Sequence, residues 1–540
     1  MSGWTLALHG GSHNSNVALA HDSEILEVLE LERFSRTKDD NFEERGVRGM
    51  EMLRYYLYNK YDINKVDQLL FTFCETPFGQ DLKARMFLQD FWGASSQTGC
   101  RHHASHAANG FYQSPFEEAI VVSADGMGND GCFLVYHAVR GRPLHIVQNI
   151  DLSLGTAYSR FLYLCGNDIR YRMGVHVGRD AGKLMGLTGL GKERPELTAR
   201  AEACINSVRW TGPDLSDVAK PTTAKQKELA KRTRTWYIAD YLSCPIDDNG
   251  FLYTEDRYDY ALAWQKAWEK TWILKMTKHL MNPAYSHLPV VISGGTGLNI
   301  LANTLFENVF QREFFVPVNP DDRGIGSGML LGHIQPKDPV DITYLGAHVL
   351  GDMPANGAPL DMQQVAKDIV DGKIYGVMKG RSEVGARALG NRSIICHAVY
   401  PQMKDILNAK IKKREWYRPF APMVRLEDVG KYFTRAVESR WMNFASLVRD
   451  EYKDKLPAIT HTDGTARVQT VTREQNPFMY DLLTEIDRLT GVGVLLNTSF
   501  NVRGQPIITY TDQAWSVYEG TMMDGLIIED RMWTKHNITV

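Results

Sequence analysis

The sequence predicts an α/β protein built on a duplicated core, and three local patterns carry that reading. Trp4-Thr5-Leu6-Ala7-Leu8-His9 is a short apolar run ending in Gly10-Gly11, and Val17-Ala18-Leu19-Ala20 resumes extended chain after polar residues 12–16. The same succession of strand, polar turn and strand returns at Ala119-Ile120-Val121-Val122-Ser123-Ala124-Asp125-Gly126 and Cys132-Phe133-Leu134-Val135-Tyr136. β-Branched and aromatic residues bounded by glycines and polar turns favour strands. The third pattern is Pro289-Val290-Val291-Ile292-Ser293, which delivers Gly294-Gly295 to a helix opening at Leu298-Asn299-Ile300. Such a turn at a helix N-terminus can accept phosphate through backbone N–H groups, so Gly294, Gly295 and Asn299 are candidate nucleotide contacts. Most glycine turns only reverse the chain, and that plainer reading stands beside it. Two strand-turn-strand units predict two halves enclosing a cleft.

At 540 residues the chain exceeds one ordinary core, so two domains are expected, with a third admissible. Gln335-Pro336-Lys337-Asp338-Pro339 reads as a linker and places the boundary near residue 340, giving domains 1–340 and 341–540. An apolar fraction of 44% with 23% charged residues is that of a soluble globular protein, and a net charge of -3 neither demands nor excludes nucleic acid. The seven cysteines form no C-x-x-C pair and read as reduced thiols, which points to the cytoplasm. No apolar run approaches the ~18 residues of a membrane span. Met1-Ser2-Gly3-Trp4 lacks the charged start and apolar stretch of an export signal.

His102 and His106 are four residues apart, so on a helix both imidazoles share one face and can reach one ion. A strand-end carboxylate completes such a shell: Asp125-Gly126 offers one, and the later pair Asp321-Asp322 offers more. That set suits a borderline divalent metal. The plain alternative is a helix carrying two surface histidines.

Two segments are basic. Lys220, Lys225, Lys227, Lys231, Arg232 and Arg234 precede Trp236-Tyr237, a mixture fit for a nucleic-acid backbone and its bases, or simply a solvated helix face. In the second domain, Lys379 to Ser393 interleaves Arg381, Arg387 and Arg392 with glycines, and Lys410-Ile411-Lys412-Lys413-Arg414-Glu415-Trp416-Tyr417-Arg418-Pro419-Phe420 follows. Glycine costs about 1 kcal/mol in a helix, so this is poor surface helix, whereas arginine forks suit phosphate or carboxylate in a close-fitting anion pocket. A structural salt-bridge network is the alternative. Asn497-Thr498-Ser499-Phe500-Asn501 continues the apolar strand Val492-Gly493-Val494-Leu495-Leu496, so its amides and hydroxyls lie at a strand end, as ligands or as turn formers.

Together these residues resemble the O-carbamoyltransferase family that modifies nodulation factors, aminoglycosides and other hydroxylated acceptors. The resemblance runs through Leu31-Glu32-Arg33-Phe34-Ser35-Arg36-Thr37-Lys38, His102-x-x-x-His106, Gly182-Lys183-Leu184-Met185-Gly186-Leu187, Ser293-Gly294-Gly295-x-x-Leu298-Asn299 and Asp322-Arg323-Gly324. It continues through Gly385-x-Arg387-Ala388-Leu389-Gly390-Asn391-Arg392-Ser393, Arg418-Pro419-Phe420-Ala421-Pro422 and Asn497-Thr498-Ser499-Phe500-Asn501. It implies a duplicated actin-like or sugar-kinase-like (ASKHA) domain followed by a smaller YrdC-like α/β domain. The chemistry implied has two steps: carbamoyl phosphate and ATP give carbamoyl-adenylate in the second domain, and the first transfers the carbamoyl group to an acceptor hydroxyl.

By position, the resemblance assigns the metal ligands to His102, His106, Asp125 and Asp322, with iron the usual ion, and leaves His103 a neighbour. His13 is the candidate base for the hydroxyl and Lys38 the candidate to neutralise nucleotide phosphate; their plain alternatives are a turn cap and a pair with Glu32. Arg387, Arg392, Lys412 and Arg418 would hold carbamoyl phosphate and the ATP phosphates, and Asn497, Ser499 and Asn501 the amide or nucleotide. The chain departs from the family at Thr296 and Gly297, where Val-Ala is commoner, and at Ser382, Val384 and Ala386 around a retained Glu383. The basic, aromatic stretch 220–237 tilts the acceptor towards a hydroxymethylated pyrimidine in DNA, with a small-molecule sugar or natural-product hydroxyl as the alternative. From other classes, a sugar kinase or a non-catalytic actin-like nucleotide-binding module would need only part of this set.

Overall fold

The structure, a computed structural model, describes residues 3–73, 82–165, 181–207, 236–246, 252–253 and 256–535. The basic stretch 220–234 and Cys74 lie outside them. The chain divides into two compact units: Met1–His13, Ala20–Ser23 and Asn64–Val340 form the first, and Asn14–Leu19, Glu24–Ile63 and Asp341–Val540 the second. Residues 14–19 and 24–63 thus group with 341–540 and not with the remainder of 1–340.

Both units are α/β. In the first, strands Trp4–His9, Val66–Thr72 and Ala94–Gly99 run parallel, with Leu8 opposite Phe71 and Leu69 opposite Gln97. A second sheet has the order Phe314–Phe315, Val290–Ser293, Glu118–Gly128, Gly131–Val139, His145–Asn149. Its Glu118–Gly128 strand is parallel to Val290–Ser293 and antiparallel to Gly131–Val139. Beside them the helix Arg257–Leu280 buries Trp264, Trp268 and Trp272. Their i, i+4 spacing lays three indoles along one face. Trp264 stacks on Phe161 at 4.7 Å, Trp272 meets Phe306 edge-on at 4.7 Å, and Trp268 Nε1–H donates to Leu154 O at 2.9 Å.

That helix also buries a carboxyl. Gln265 Nε2–H donates to Glu269 Oε1 at 2.7 Å and Tyr158 O–H donates to Gln265 Oε1 at 2.6 Å. Desolvation pushes the Glu269 carboxyl up to about 7, against the lowering effects of Gln265 and Lys266. A raised native value means that the folded protein binds this proton more tightly than the unfolded chain. The contribution to stability is therefore complete below about pH 4.5 and is lost as pH rises through about 7, a difference of about 3 kcal/mol. Glu269→Gln keeps the acceptor without the charge. Urea unfolding at pH 5 and pH 8 is expected to show the substitution stabilising chiefly at pH 8, with a flatter pH dependence.

The second unit centres on a mixed sheet of eight strands: Ala358–Pro359, Arg531–Thr534, Gly525–Ile528, Tyr375–Met378, Arg392–His397, Val494–Ser499, Ala421–Arg425 and Gln469–Val471. Alternation sorts its side chains. Tyr375, Val377, Ile395, Leu495 and Ile527 pack with Ile369, Leu482 and Ile486 from the helices Met362–Val370 and Pro477–Thr490. Met378, Ile394, Cys396, Leu496 and Leu526 face the other way, onto Tyr432, Phe433, Leu456 and Ile459. The second helix starts as its sequence dictates: the Asn476 side chain accepts from Met479 N–H, Pro477 follows, and Gly491 closes the end in the left-handed region.

The early segments join this unit through backbone and charge. Val28 N–H donates to Leu345 O at 2.8 Å, and the fully buried Glu27 carboxylate meets Arg381 Nη2 at 3.0 Å, Tyr61 O–H at 2.8 Å and Lys60. Six cysteines among the described residues are free thiols. Among the described residues, no helix is long and apolar enough to cross a membrane.

Candidate active site

Each unit carries a cluster that chemistry can use. In the first, the helix His102–Gln113 starts where two side chains of the 128–131 turn receive its open N–H groups. His102 N–H donates to Asn129 Oδ1 at 3.0 Å, and His103 N–H donates to Asp130 Oδ1 at 2.9 Å. This fixes the first turn, so His102 and His106 face one point, both fully buried. The register of Glu118–Gly128 against its neighbour shifts between Ala124 and Gly128, and Asp125 lies in that irregularity. Asp322 begins a one-turn 3₁₀ segment, Asp322–Gly324, whose start is capped by the Asp321 carboxylate accepting from Arg323 N–H.

Four donor atoms converge. His102 and His106 Nε2 are 3.1 Å apart; Asp125 Oδ2 lies 3.4 and 3.1 Å from them, and Asp322 Oδ1 lies 3.4 Å from both. All four lie within 4.8 Å of one another. An ion about 2.0–2.2 Å from each nitrogen or oxygen places tetrahedral donors about 3.3–3.6 Å apart, so the spacing and the two-imidazole, two-carboxylate composition fit a divalent metal. The charges agree. Burial lowers the His106 imidazole, but the Asp125 and Asp322 carboxylates carry it up to about 10; burial and Asp322 raise Asp125, but the histidines hold it at about 2. A proton on His106 thus fills part of the electrostatic role that a cation would take over.

The opposite oxygen of Asp322 has its own neighbours. His9 Nε2 and His13 Nδ1 each lie 3.6 Å from Asp322 Oδ2; His9 is fully buried and the His13 side chain is 34% exposed. His9 has no sequence signal beyond its place at the end of the first strand. His103 is engaged elsewhere, with Nδ1 2.7 Å from Ser123 Oγ and Nε2 3.0 Å from Gly131 O.

The glycine turn sits beside this cluster. Gly294 has φ +90° and a Cβ there would stand 2.1 Å from Ala124 O, while one on Gly295 would stand 2.8 Å from Asp125 Oδ1. Both glycines therefore let the Val290–Ser293 strand end approach the Asp125 segment closely. Gly294 N–H is engaged with Pro320 O at 2.7 Å, and the Asn299 side chain caps Ala302 N–H at 3.1 Å and pairs with Gln265.

In the second unit the cations gather. Lys412 ends a π-helical turn, Leu407–Lys412, and its buried ammonium donates to Ser499 O at 2.7 Å, Ser499 Oγ at 3.1 Å, Asn501 O at 2.7 Å and Asn501 Oδ1. Burial, then Arg414, Arg418 and Lys38, hold its pKa well below the usual lysine range. Burial and Arg418 depress Arg414; burial and Arg387, Arg414 and Arg418 depress Arg467. Six cations thus gather with mutual repulsion, Lys38, Arg387, Lys412, Arg414, Arg418 and Arg467, and Glu415 is a nearby acid, 3.6 Å from Arg418 and 3.2 Å from Arg503. Such a cluster is stabilised by a polyanion.

Asn497 Nδ2–H donates to Ala388 O at 3.0 Å and Gln469 Oε1 at 2.7 Å, and its buried Oδ1 has no hydrogen-bond partner among the described residues. Arg392 differs from its sequence expectation in surroundings. Its fully buried guanidinium donates to the carbonyls of Lys379, Asn391, Ala347 and Gly380 at 2.8–3.3 Å, which makes it a strut of the loop. Arg414 joins the cluster from the basic run 410–420, and Arg467 joins it unannounced, standing in no basic run of the sequence.

The carbamoyltransferase N-terminus model matches residues 94–330 and the carbamoyltransferase C-terminus model residues 366–535. Nodulation protein U of Rhizobium tropici is 38% identical over 425 residues, covering 75% of this chain and 70% of that protein. Nodulation protein NolNO of Sinorhizobium fredii is 28% identical, covering 96% and 78%. Among solved structures, HypF of T. kodakarensis overlaps 62% of this chain and 48% of its own at 14% identity, with a TM-score of only 0.33. The chain belongs to the carbamoyltransferase family. It is an enzyme, which sets aside the non-catalytic module, and its class of reaction is carbamoyl transfer, not sugar phosphorylation.

Proposed function

We propose that the chain is an ATP-dependent O-carbamoyltransferase that works in two steps. In the first, carbamoyl phosphate, ATP and water give carbamoyl-adenylate, pyrophosphate and phosphate. The cations Lys38, Arg387, Lys412, Arg414, Arg418 and Arg467 would bind the phosphates, and the unmatched Asn497 Oδ1 would accept from the carbamoyl N–H₂. Arg392 would hold the loop that presents Arg387, and Ser499 and Asn501 would hold Lys412.

In the second step the acceptor oxygen attacks the carbamoyl carbon, AMP leaves, and the hydroxyl proton passes to His13. Asp322 Oδ2, 3.6 Å away, would stabilise the imidazolium that forms, and the partial exposure of His13 leaves room for an acceptor. His102, His106, Asp125 and Asp322 would hold a divalent ion, iron by family likeness, which when bound polarises a carbonyl that nitrogen donation makes a weak electrophile. Gly294 and Gly295 would keep the adenylate close to Asp125. The convergence of four donors at 3.1–3.4 Å is the observation that carries this reading.

For the acceptor we propose a hydroxymethylated pyrimidine in DNA, supported by the basic composition of residues 220–234 beside Trp236-Tyr237. Incubating the enzyme, ATP and carbamoyl phosphate with DNA containing hydroxymethylcytosine, then digesting to nucleosides for mass spectrometry, is expected to show carbamoylated nucleoside. If ATP is consumed through the adenylate while the DNA stays unmodified, the acceptor is a small-molecule hydroxyl.

A further inference from the structure

The short helix Leu31–Ser35 in the second unit buries charge beside the apolar Leu31 and Phe34. Glu30, Glu32 and Arg33 are each at most 5% exposed. Arg33 Nε–H donates to Glu30 Oε2 at 3.1 Å, and the pair then takes both backbone groups of one distant residue. Gly385 N–H donates to Glu30 Oε1 at 2.6 Å, and Arg33 Nη2–H donates to Gly385 O at 2.9 Å, across 352 residues of sequence. Gly385 has φ +87°, in the region that favours glycine.

Two residues further on is Arg387. The far side of its loop is tied to a second carboxylate, for Glu383 Oε1 accepts from the N–H groups of Leu389, Asn391 and Arg392 at 2.6–3.1 Å. The same helix anchors Lys38 as well: Glu32 Oε2 accepts from Asp39 N–H at 2.6 Å. Burying an ion pair carries a desolvation cost that a hydrophobic pair avoids, so this arrangement is explained better by the geometry it fixes than by stability.

We propose that Glu30 and Arg33 are positioning residues that clamp the peptide of Gly385 and thereby aim Arg387 into the anion-binding cluster. This deepens the reading of that cluster as the phosphate site and rests on it. The pair touches no substrate; its effect passes through Arg387.

Binding of inorganic pyrophosphate to the full-length protein, measured by calorimetry, tests this without requiring any turnover. Arg33→Lys keeps the charge but cannot span Glu30 and Gly385 O as a fork. It is expected to weaken pyrophosphate about tenfold in the otherwise unchanged protein, yet less than about twofold when Arg387 is already replaced by lysine. Equal losses in both backgrounds, no loss in either, or no binding by the unsubstituted protein would overturn the proposal. Should Arg33→Lys not fold, Glu30→Gln takes its place in the same cycle, and amide exchange over residues 383–389 must then quicken. Failure of carbamoyl transfer with an intact cycle would count against the chemistry proposed above and leave the clamp standing.

Discussion

His106→Ala is expected to cut carbamoyl transfer to the acceptor on the order of 10³-fold while leaving formation of carbamoyl-adenylate near its original rate. The loss corresponds to about 4 kcal/mol of transition-state stabilisation, the scale for losing Lewis-acid assistance at a weak carbonyl electrophile. His106 Nε2 is within 3.1–3.4 Å of the other three donors, so removing it opens one side of a buried shell that surrounding protein cannot refill. Metal content by elemental analysis should fall in parallel, and chelation of the unsubstituted protein should reproduce the kinetic effect. Full-speed transfer by the metal-stripped protein would refute the metal reading.

Arg387→Ala should act on the other half-reaction. The unsubstituted enzyme is expected to exchange labelled pyrophosphate into ATP only when carbamoyl phosphate is present, and the substitution to lower that exchange at least about 10²-fold. The argument is electrostatic: Arg387 is one of the cations that depress Arg467, so the cluster's unfavourable self-repulsion is relieved by a bound polyanion. Deleting one arm of that cluster weakens phosphate binding while relieving some repulsion, so the protein should unfold no sooner in urea. Exchange that runs without carbamoyl phosphate would exclude the proposed adenylate route, and unchanged exchange in the variant would remove Arg387 from the site.

Much of this was legible in the sequence, for identifiable reasons. The i, i+4 spacing of His102 and His106 fixes a shared face before any tertiary contact exists, and glycine-bounded apolar runs mark strands through local stereochemistry. The pair Asp321-Asp322 stood out as a source of carboxylates, but the choice of Asp322 came only through family likeness, since nothing local joins residues 106 and 322. Arg467 gave no signal, because its surroundings come from pairing of distant strands. Arg392 misled in the opposite way: an arginine among glycines looks available, but four loop carbonyls converge on it once the chain folds. Nor did composition reveal that residues 24–63 group with 341–540, since links such as Val28 to Leu345 and Glu27 to Arg381 join residues far apart in the sequence.

That last link bears on how the gene can be dissected. A fragment beginning at Asp341 would carry Arg381 without its Glu27 counter-ion and Gly385 without either clamp residue, while its complement would keep Glu27 without Arg381 and Glu30 without the Gly385 N–H. The two compact units are written as interleaved text, not as consecutive chapters. A single cut therefore leaves the later passage without the early residues 14–19 and 24–63 that group with it.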